Sequence, residues 1–428
     1  MTGPPDVAVI EDLAAPTFSP DVQAILDSVG PFAEILDLSA DGILSQAAAE
    51  VRLDDFGTDG GTGNFRDRVD LLIDAFRNDA ELSPMGVVSV HTLLVQLARN
   101  RLLIEDQLRR HPEILDIEIT APIIIAGLPR TGTTHLHNLL AADPNLRSLP
   151  YWESLEPVAM PDDATDTPGA RIERAATGLE FVNAALPYLR RMHDMTAQHV
   201  HEEIQLLAID FSTMLFETMA PIPTWKRHYT GSDQTEHYRY LRKVLQVLTF
   251  LRGGERWVLK SPQHLEQFRP LMTVFPDAVF VVTHRDPVSV TASMTTMVTY
   301  TSRLQLAHVD PLVVGGYWVE RVADLLDACV RDRDVLPAAQ SMDVRFHEFM
   351  ADDLGTVAGI YELAGQPLDD AAQAAHQGYL DTHERDRYGR VAYSLDPFGT
   401  DARACSLRHA AYCQRFGVGP VSGTPGII

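Results

Sequence analysis

The feature that most constrains the fold is a strand–loop–helix pattern that occurs three times along the chain. The first apolar run, at 122–126, leads through a glycine loop into a helical segment at 135–142. Similar apolar runs at 257–259 and 278–283 each lead into a short polar segment and then a helix. Because buried strands that alternate with helices pair side by side, the pattern predicts an α/β fold with a parallel sheet flanked by helices.

The apolar spacing outside these junctions is typical of helices. We expect residues 1–118 to form a helical N-terminal segment that packs on the core. Residues 119–428 then form the main domain, in which about 155–254 make a helical cap between the first and second junctions. Ser261 and Asp286 each precede a proline and are suited to cap the helices that follow.

Charge and composition exclude several classes of function. Among 428 residues, 59 are Asp or Glu and 35 are Lys or Arg, so the net charge of −24 disfavours nucleic acid and anionic membranes as partners. No apolar run approaches the ~18 residues that a transmembrane segment needs, and the N-terminal stretch lacks the features of a signal peptide. Three cysteines favour a reducing compartment over a disulfide framework, so we expect a cytoplasmic protein.

Three cations stand at the three predicted strand ends. Arg130 lies in the glycine loop, Lys260 follows the second strand and Arg285 follows the third. The carboxyl ends of parallel strands share one edge of the sheet, where helix N-termini also favour anions. In so acidic a chain, this pattern indicates a site for an anionic ligand.

The first loop has the Gly127-x₄-Gly132 spacing of a Walker A loop, but Thr133 takes the position of the Walker lysine. The positive charge appears instead at Arg130, whose forked guanidinium suits a group with three equivalent oxygens. The loop amides and the hydroxyl of Thr133 or Thr134 are suited to bind a phosphate-like group. The glycines at 59–63 follow no buried strand, so we expect no ligand there.

Two of these motifs resemble those of a known family. The sequence at 127–134, Gly-Leu-Pro-Arg-Thr-Gly-Thr-Thr, resembles the 5′-phosphosulfate-binding loop of sulfotransferases that use 3′-phosphoadenosine 5′-phosphosulfate (PAPS). The stretch 281–287 with Ser293 is similar to the 3′-phosphate-binding segment of that superfamily. Residues 259–264 and 388–399 are similar to motifs of its bacterial branch. The resemblance implies a P-loop-like fold and an enzyme of the EC 2.8.2 type.

The resemblance also implies a role for each motif residue. It assigns Arg130 to the sulfuryl oxygens, and Lys260 to the sulfonate and the leaving phosphate oxygen. It assigns Arg285 and Ser293 to the 3′-phosphate. The closing loop, which begins at Tyr388-Gly389-Arg390, is expected to fold over the nucleotide, with added charge from Arg390 or Arg387. No metal is required, because positioning and electrostatic stabilisation supply most of the catalysis. The expected donor-binding residues are Leu128, Pro129, Arg130, Thr131, Gly132, Thr133, Thr134, Arg285, Ser293 and Arg390.

The base that accepts the proton of the acceptor hydroxyl is less defined. The position of the histidine base of cytosolic vertebrate sulfotransferases falls near Pro262. Glu153 is the favoured candidate, because the tyrosylprotein branch has a catalytic glutamate shortly after the phosphosulfate loop. His201, in a cluster with His199 and two glutamates, is the alternative. This cluster is a poor metal site, since it lacks two histidines four residues apart.

The acceptor is expected to be a small molecule with a hydroxyl group. Methionine and aromatic side chains in the predicted cap favour a lipophilic alcohol or phenol over a sugar. Two other functions stay open: a P-loop kinase-like nucleotide-binding enzyme, and a non-catalytic nucleotide-binding protein on the same fold. The missing Walker lysine argues against the first, and the retained cations argue against the second. The sequence leaves a homo-oligomer open.

Overall fold

The computed structural model describes residues 6–57, 64–163, 168–384 and 387–419, so the glycine-rich stretch 59–63 lies outside the described residues. Within the described ranges, the chain ahead of the main sheet contains a short strand and five α-helices. These are β1 (Val7–Ala8), α1 (Pro20–Ser28), α2 (Gly30–Ile35), α3 (Ala40–Val51), α4 (Phe65–Asp79) and α5 (Pro84–Arg110).

The central part of the chain contains the first strands of the main sheet and a helical insertion. In chain order these elements are β2 (Ile123–Ala126), α6 (Thr133–Ala141), β3 (Leu146–Arg147), α7 (Tyr151–Leu155), α8 (Gly169–Ala185), α9 (Leu189–Met192), α10 (Ile204–Ala208), α11 (Pro223–Gly231) and α12 (Thr235–Arg252).

The C-terminal part contains the remaining strands and the helices that cover them. In chain order these elements are β4 (Arg256–Ser261), α13 (Phe268–Val274), β5 (Val279–His284), α14 (Pro287–Ser302), α15 (Pro311–Asp332), β6 (Ser341–Arg345), α16 (Phe346–Ala351), α17 (Asp353–Ala364), α18 (Asp370–Thr382), β7 (Arg390–Val391), α19 (Ala402–Arg408) and α20 (Ala410–Phe416).

Five parallel strands make the main sheet, in the spatial order β3-β4-β2-β5-β6. Alternate residues of β2 face opposite layers. Ile124 packs in a core shared with α3, α4 and α5, whereas Ile125 packs with residues of α6 and α17. A parallel sheet is stable only when both of its faces are covered, and here helices cover both. The predicted α/β fold is confirmed.

The three predicted strand–loop–helix junctions are present, as β2–α6, β4–α13 and β5–α14. The Asp286 carboxylate caps α14, because it accepts the N–H groups of Val288 and Ser289 at 3.2 and 3.1 Å. Ser261 ends β4, but its side chain makes no capping hydrogen bond to the 3₁₀ turn at Pro262–Glu266 that follows. This turn separates β4 from α13.

The N-terminal helices are tied to the insertion by a buried charge network. Asp210 accepts hydrogen bonds from Arg68 of α4 at 2.9 Å and from Arg101 of α5 at 2.5 Å. The same carboxylate lies 2.5 Å from Nδ1 of His237 on α12. A buried carboxylate requires such partners, so the network fixes these helices together. None of the described helices combines the length and the apolar character that crossing a membrane requires.

A second sheet contains two short strands from distant parts of the chain. β1 pairs in parallel with β7, with Val7 opposite Arg390 and Ala8 opposite Val391. Sequence analysis predicts neither strand, because a two-residue strand leaves no periodic pattern to read. The pairing places the N-terminal segment beside the closing loop.

Candidate active site

The glycine loop between β2 and α6 has a restrained backbone. A Cβ atom at Gly127 would overlap the hydroxyl of Thr283 on β5. Gly132 has a φ of +88°, in the left-handed region that favours glycine. Arg130 has a φ of +72°, which is uncommon for a residue with a side chain and costs on the order of 1 kcal/mol. The strained position is therefore the arginine that the sequence analysis assigns to the ligand.

Three of the predicted donor-binding residues give the loop its shape and do not line the adjacent cavity. The Thr131 hydroxyl donates to the carbonyl of Leu128 at 2.6 Å and lies 2.6 Å from the Thr283 hydroxyl. Leu128 packs in the main core, and Pro129 lies between them in the turn. Their side chains act on the loop itself.

A cavity of about 1020 Å³ lies beside this loop, at the large end of the range for small-molecule pockets. It brings together predicted residues from two of the junctions and from the closing loop. Of the residues predicted to bind or act on a ligand, those on its wall are Arg130, Gly132, Thr133, Thr134, Arg285, Ser293 and Arg390.

Arg130 and Arg285 are held next to each other by contacts with the backbone. Arg285 Nη1 donates to the carbonyl of Arg130 at 2.8 Å, and its guanidinium lies 4.2 Å from the centre of the Phe346 ring. Arg130 Nη1 donates to the carbonyl of Met192 at 2.7 Å. Burial, and then the charge of Arg130, lowers the pKa of Arg285. Because the two charges repel, a bound anion would stabilise the arrangement.

Several buried polar atoms on this wall have no hydrogen-bond partner among the described residues. They are Arg130 Nε, Arg285 Nε, Ser293 Oγ and the Tyr393 hydroxyl. Ser289, which precedes Ser293 by one turn of α14, differs because its hydroxyl donates to the Asp286 carboxylate at 2.8 Å. Buried polar groups are nearly always hydrogen-bonded, so these atoms fit a ligand that carries acceptor oxygens.

The N-terminus of α6 adds backbone donors to the same wall. Thr133 and Thr134 begin this helix and line the cavity. The first N–H groups of a helix have no acceptor within the helix, and the helix dipole favours an anion there. The N-terminus of α14 contributes less, because the Asp286 carboxylate already accepts its N–H groups.

Lys260 does not lie where the sequence analysis places it. Its side chain is buried and is absent from the cavity wall. The ammonium forms an ion pair with Glu202, and the backbone N–H donates to Glu203 Oε2 at 2.7 Å. Glu203 also pairs with His264. Lys260 therefore faces the carboxylates that precede α10.

The two candidate bases also lie off the cavity wall. The Glu153 carboxylate is fully buried. Its two oxygens accept hydrogen bonds from Nη2 of Arg147 at 2.8 and 2.9 Å, and Nη1 of Arg252 lies 2.8 Å from Oε1. This geometry makes Glu153 a link between α7, β3 and α12. The His201 ring is buried edge-on to Tyr151, with their ring centres 4.8 Å apart.

His193 and His199 are among the histidines that line the cavity, and their ring centres are 6.4 Å apart. Burial, and then the charge of Lys260, lowers the pKa of His199 to about 4 and that of His193 to about 3. Both rings are therefore neutral at pH 7, and each can accept a proton. His199 gave a signal in the sequence, since it belongs to the same cluster of histidines and glutamates as His201.

Sequence analysis also misses two arginines from the segment before His193. Arg190 donates to the Tyr388 hydroxyl at 3.0 Å and stacks 4.5 Å from the centre of that ring. Arg191 lines the cavity beside Arg390. The only signal in the sequence is a pair of adjacent arginines in a chain of high negative charge. The cavity wall thus concentrates positive charge in an acidic protein.

The methionines near the site separate into two groups. Met214 of the predicted cap and Met294 of α14 pack in the main core. Met192 of the cap and Met350 of α16 line the cavity, and Met350 was not expected there.

Residues 122–370 match the sulfotransferase family. The chain belongs to this family. The structure of the sulfotransferase STF1 from Mycobacterium tuberculosis H37Rv is 31% identical and has a TM-score of 0.75, covering 86% of this chain and 98% of that chain. The sulfotransferase STF9 from Mycobacterium avium is 26% identical and has a TM-score of 0.79, covering 91% of this chain and 99% of that chain.

A curated member of the sulfotransferases is also similar to this chain. The omega-hydroxy-beta-dihydromenaquinone-9 sulfotransferase Stf3 of Mycobacterium bovis is 24% identical over 270 residues, which are 57% of this chain and 62% of that protein. The match therefore spans less than two thirds of the length of this relative. Among the described residues of this sulfotransferase-family chain, no group of three or more His, Cys, Asp or Glu side chains is arranged to hold a metal ion.

Proposed function

We propose that this protein transfers a sulfuryl group from PAPS to the hydroxyl group of a small acceptor. The proposal rests above all on one observation: Arg130, Arg285 and Ser293 meet at one cavity, each with a buried polar atom that lacks a partner among the described residues. A ligand with two separate anionic groups accounts for all three. Membership of the sulfotransferase family supports the choice of PAPS as that ligand.

Two groups of residues would hold the donor at its two anionic ends. We assign Arg285 and Ser293 to the 3′-phosphate, since a guanidinium fork and a hydroxyl supply donors to several phosphate oxygens. We assign the first amides of α6, with Thr133 and Thr134, to the 5′-phosphate. Arg390 adds positive charge from the closing loop.

Bound PAPS supplies an activated sulfuryl group. The protein's own contribution is electrostatic and positional, and its centre is Arg130. The hydrogen bonds to Met192 and from Arg285 fix this guanidinium and its backbone before the donor binds. Preorganised donors of this kind typically contribute ~10²–10³-fold to a rate, because they need no reorganisation during the reaction.

We assign His199, in place of Glu153 and His201, as the base that accepts the proton of the acceptor hydroxyl. His199 lines the cavity, whereas the other two side chains are buried away from it. A base must reach the hydroxyl before its pKa matters. The neutral imidazole of His199 can then accept the proton, and the negative charge of a bound donor would raise its pKa toward the working pH.

Lys260 acts in this proposal without touching the reacting groups. Its charge is the second cause, after burial, of the lowered pKa values of His193 and His199. Lys260 therefore adds to the effect of burial, which favours the neutral form of both rings. Its ion pair with Glu202 holds the ammonium in place.

The acceptor class that we propose is a lipophilic alcohol or phenol. The Mycobacterium bovis relative is named as a sulfotransferase of omega-hydroxy-beta-dihydromenaquinone-9. The cavity wall also includes Ala141, Ala142, Val200 and Met350. These small and apolar side chains leave room for an apolar body beside the hydroxyl that reacts.

The test is incubation with ³⁵S-labelled PAPS and a panel of lipophilic alcohols, phenols and sugars, followed by separation of the labelled products. We expect label in at least one alcohol or phenol, and loss of that product in R130A. Arg109→Ala is the matched control, because Arg109 is an exposed arginine on α5. Phosphoryl transfer from ATP–Mg²⁺ without any sulfuryl transfer would contradict the proposal and favour a kinase-like enzyme.

A further inference from the structure

The closing loop that forms one wall of the cavity is bound by the N-terminal segment. The backbone N–H of Arg390 donates to the carbonyl of Asp6 at 2.8 Å, and that of Ala392 donates to the carbonyl of Ala8 at 2.9 Å. Tyr388, Gly389, Arg390, Val391 and Tyr393 of this loop all line the cavity. A strand from the start of the chain therefore completes the support of a wall of the candidate site.

Arg191 joins the same two segments from inside the cavity. Its guanidinium lies 2.8 Å from Asp6 Oδ2 and donates to the carbonyls of Asp6 and Arg390 at 3.4 Å each. Gly389 allows this close packing, because a Cβ atom there would lie 2.6 Å from the Asp6 carbonyl oxygen. Gly389 also has a φ of +85°, so a larger residue would be strained as well.

Apolar packing and a second ion pair anchor the N-terminal segment itself. Ile10 and Leu13 are buried in one cluster with Val391 and Tyr393 of the closing loop. Asp12 is paired with Arg303, whose side chain is nearly fully buried, at 2.9 Å. The segment is thus fixed to the body of the protein at one end and to the closing loop at the other.

The contacts continue from this segment to the loop that carries Arg130. Arg191, which holds Asp6, precedes Met192 on α9. The Met192 carbonyl accepts the hydrogen bond from Arg130, and the Met192 side chain packs in the same cluster as Ile10. A shift of β1 would therefore disturb both the closing loop and the support of Arg130.

We propose that the N-terminal segment 6–13 is a positioning element for the donor: β1 holds the closing loop in its donor-binding position, and Asp6 is the side chain that fixes Arg191 beside it. This inference rests on the proposed function, because the ligand at this wall is taken to be PAPS. It adds that donor affinity depends on residues far outside the sulfotransferase match, which begins at residue 122.

The test compares two proline variants of the N-terminal segment. The carbonyls of Asp6 and Ala8 accept hydrogen bonds from Arg390 and Ala392 of the closing loop. In a parallel ladder the N–H of Ala8 therefore faces this loop and that of Val9 faces away. Ala8→Pro removes a ladder donor, whereas Val9→Pro makes the same change at an exposed position and serves as the matched control. Calorimetry with adenosine 3′,5′-bisphosphate measures donor-site affinity, and thermal melting checks folding.

We expect Ala8→Pro to bind the bisphosphate about tenfold more weakly than wild type and Val9→Pro, as the loss of a hydrogen bond or two predicts. The KM for PAPS should rise in step, while the KM for the acceptor stays unchanged. Equal affinity in all three proteins would overturn the inference. If the wild-type protein itself fails to bind the bisphosphate, the proposed function fails, which is a distinct outcome.

Two substitutions of Asp6 provide a second test if Ala8→Pro does not fold. Asp6 is largely exposed, so its removal should leave the melting temperature nearly unchanged. We expect Asp6→Ala to raise the Kd for the bisphosphate about two- to fivefold, and Asp6→Glu to restore it. Unchanged affinity in Asp6→Ala, or the same loss in Asp6→Glu, would show that the carboxylate does not position the donor wall.

Discussion

Arg285 Nη1 donates a hydrogen bond to the carbonyl oxygen of Arg130 at 2.8 Å, across 155 residues of sequence. This contact supports the left-handed backbone of Arg130 and places two guanidinium groups side by side. The two anion-binding motifs of the chain are therefore one physical unit. A ligand that engages Arg285 also acts on the loop that carries Arg130.

Substitution of Arg285 should affect more than donor affinity. We expect Arg285→Ala to raise the KM for PAPS and also to lower kcat, because the strained Arg130 backbone loses its hydrogen bond. Arg285→Lys keeps the charge but not the planar fork, so it should recover only part of the affinity. Steady-state kinetics measures both effects. An increase in KM with kcat unchanged would show that the contact with the Arg130 carbonyl has no catalytic effect.

Arg130→Ala should mainly lower kcat, by ~10²–10³-fold, if its guanidinium stabilises charge that develops during transfer. The variant still has Arg285 and Ser293, so calorimetry should show that much of the affinity for adenosine 3′,5′-bisphosphate is retained. Wild-type turnover in Arg130→Ala would show that Arg130 does not contribute to the transfer step.

We expect Glu153 to stabilise the folded protein and not to act in catalysis. Removal of one partner from a buried ion pair typically costs ~3–5 kcal/mol, because the remaining charge loses its compensation. We expect Glu153→Ala to lower the free energy of unfolding by about this amount, measured with urea, while the folded variant retains kcat within a few-fold. A large loss of kcat at wild-type stability would return Glu153 to the role of base.

His199→Ala should lower kcat by ~10²–10⁴-fold, the usual contribution of a general base. His201→Asn is the comparison, because the His201 ring is buried beside the same segment but lies off the cavity wall. The acidic limb of the pH–rate profile should be lost in His199→Ala and retained in His201→Asn. The reverse pattern would assign the base to His201.

The neutral histidines predict how stability changes with pH. The pKa values of His193 and His199 are lowered to about 3 and about 4 in the folded protein, by burial first and then by Lys260. Below about pH 6.5 the unfolded chain binds protons that the folded protein does not, so the free energy of unfolding should fall as the pH drops toward 4. Urea unfolding at several pH values measures this loss, and constant stability across that range would contradict it.

The strand ends could be predicted because the relevant signals are local. The runs that became β2, β4 and β5 are continuous and apolar, and the register of a parallel sheet then brings Arg130 and Arg285 to one edge. The two arginine partners of Glu153 could not be predicted in this way. Arg147 and Arg252 reach Glu153 only because β3 pairs with β4 and α12 packs nearby.

Lys260 shows the same limit. Lys260 is the penultimate residue of β4, so the end of the apolar run correctly indicates the edge of the sheet, but not the direction of the side chain. That direction depends on Glu202, which comes from the insertion and pairs with the ammonium. Arg191 and β1 were missed for a related reason, since their contacts join distant segments and leave no periodic signal. Arg191 contacts Arg390 across 199 residues, and β1 pairs with β7 from the other end of the chain.

The most direct test of the central claim is calorimetric titration of the wild-type protein with adenosine 3′,5′-bisphosphate in the presence of a chelator, alongside Arg285→Ala and Ser293→Ala. We expect one site per chain, with affinity that falls in both variants. In a separate titration with Mg²⁺ and without the chelator, ATP–Mg²⁺ should not compete at similar concentrations. Absence of binding, or binding that neither substitution weakens, would show that these side chains do not form a nucleotide site.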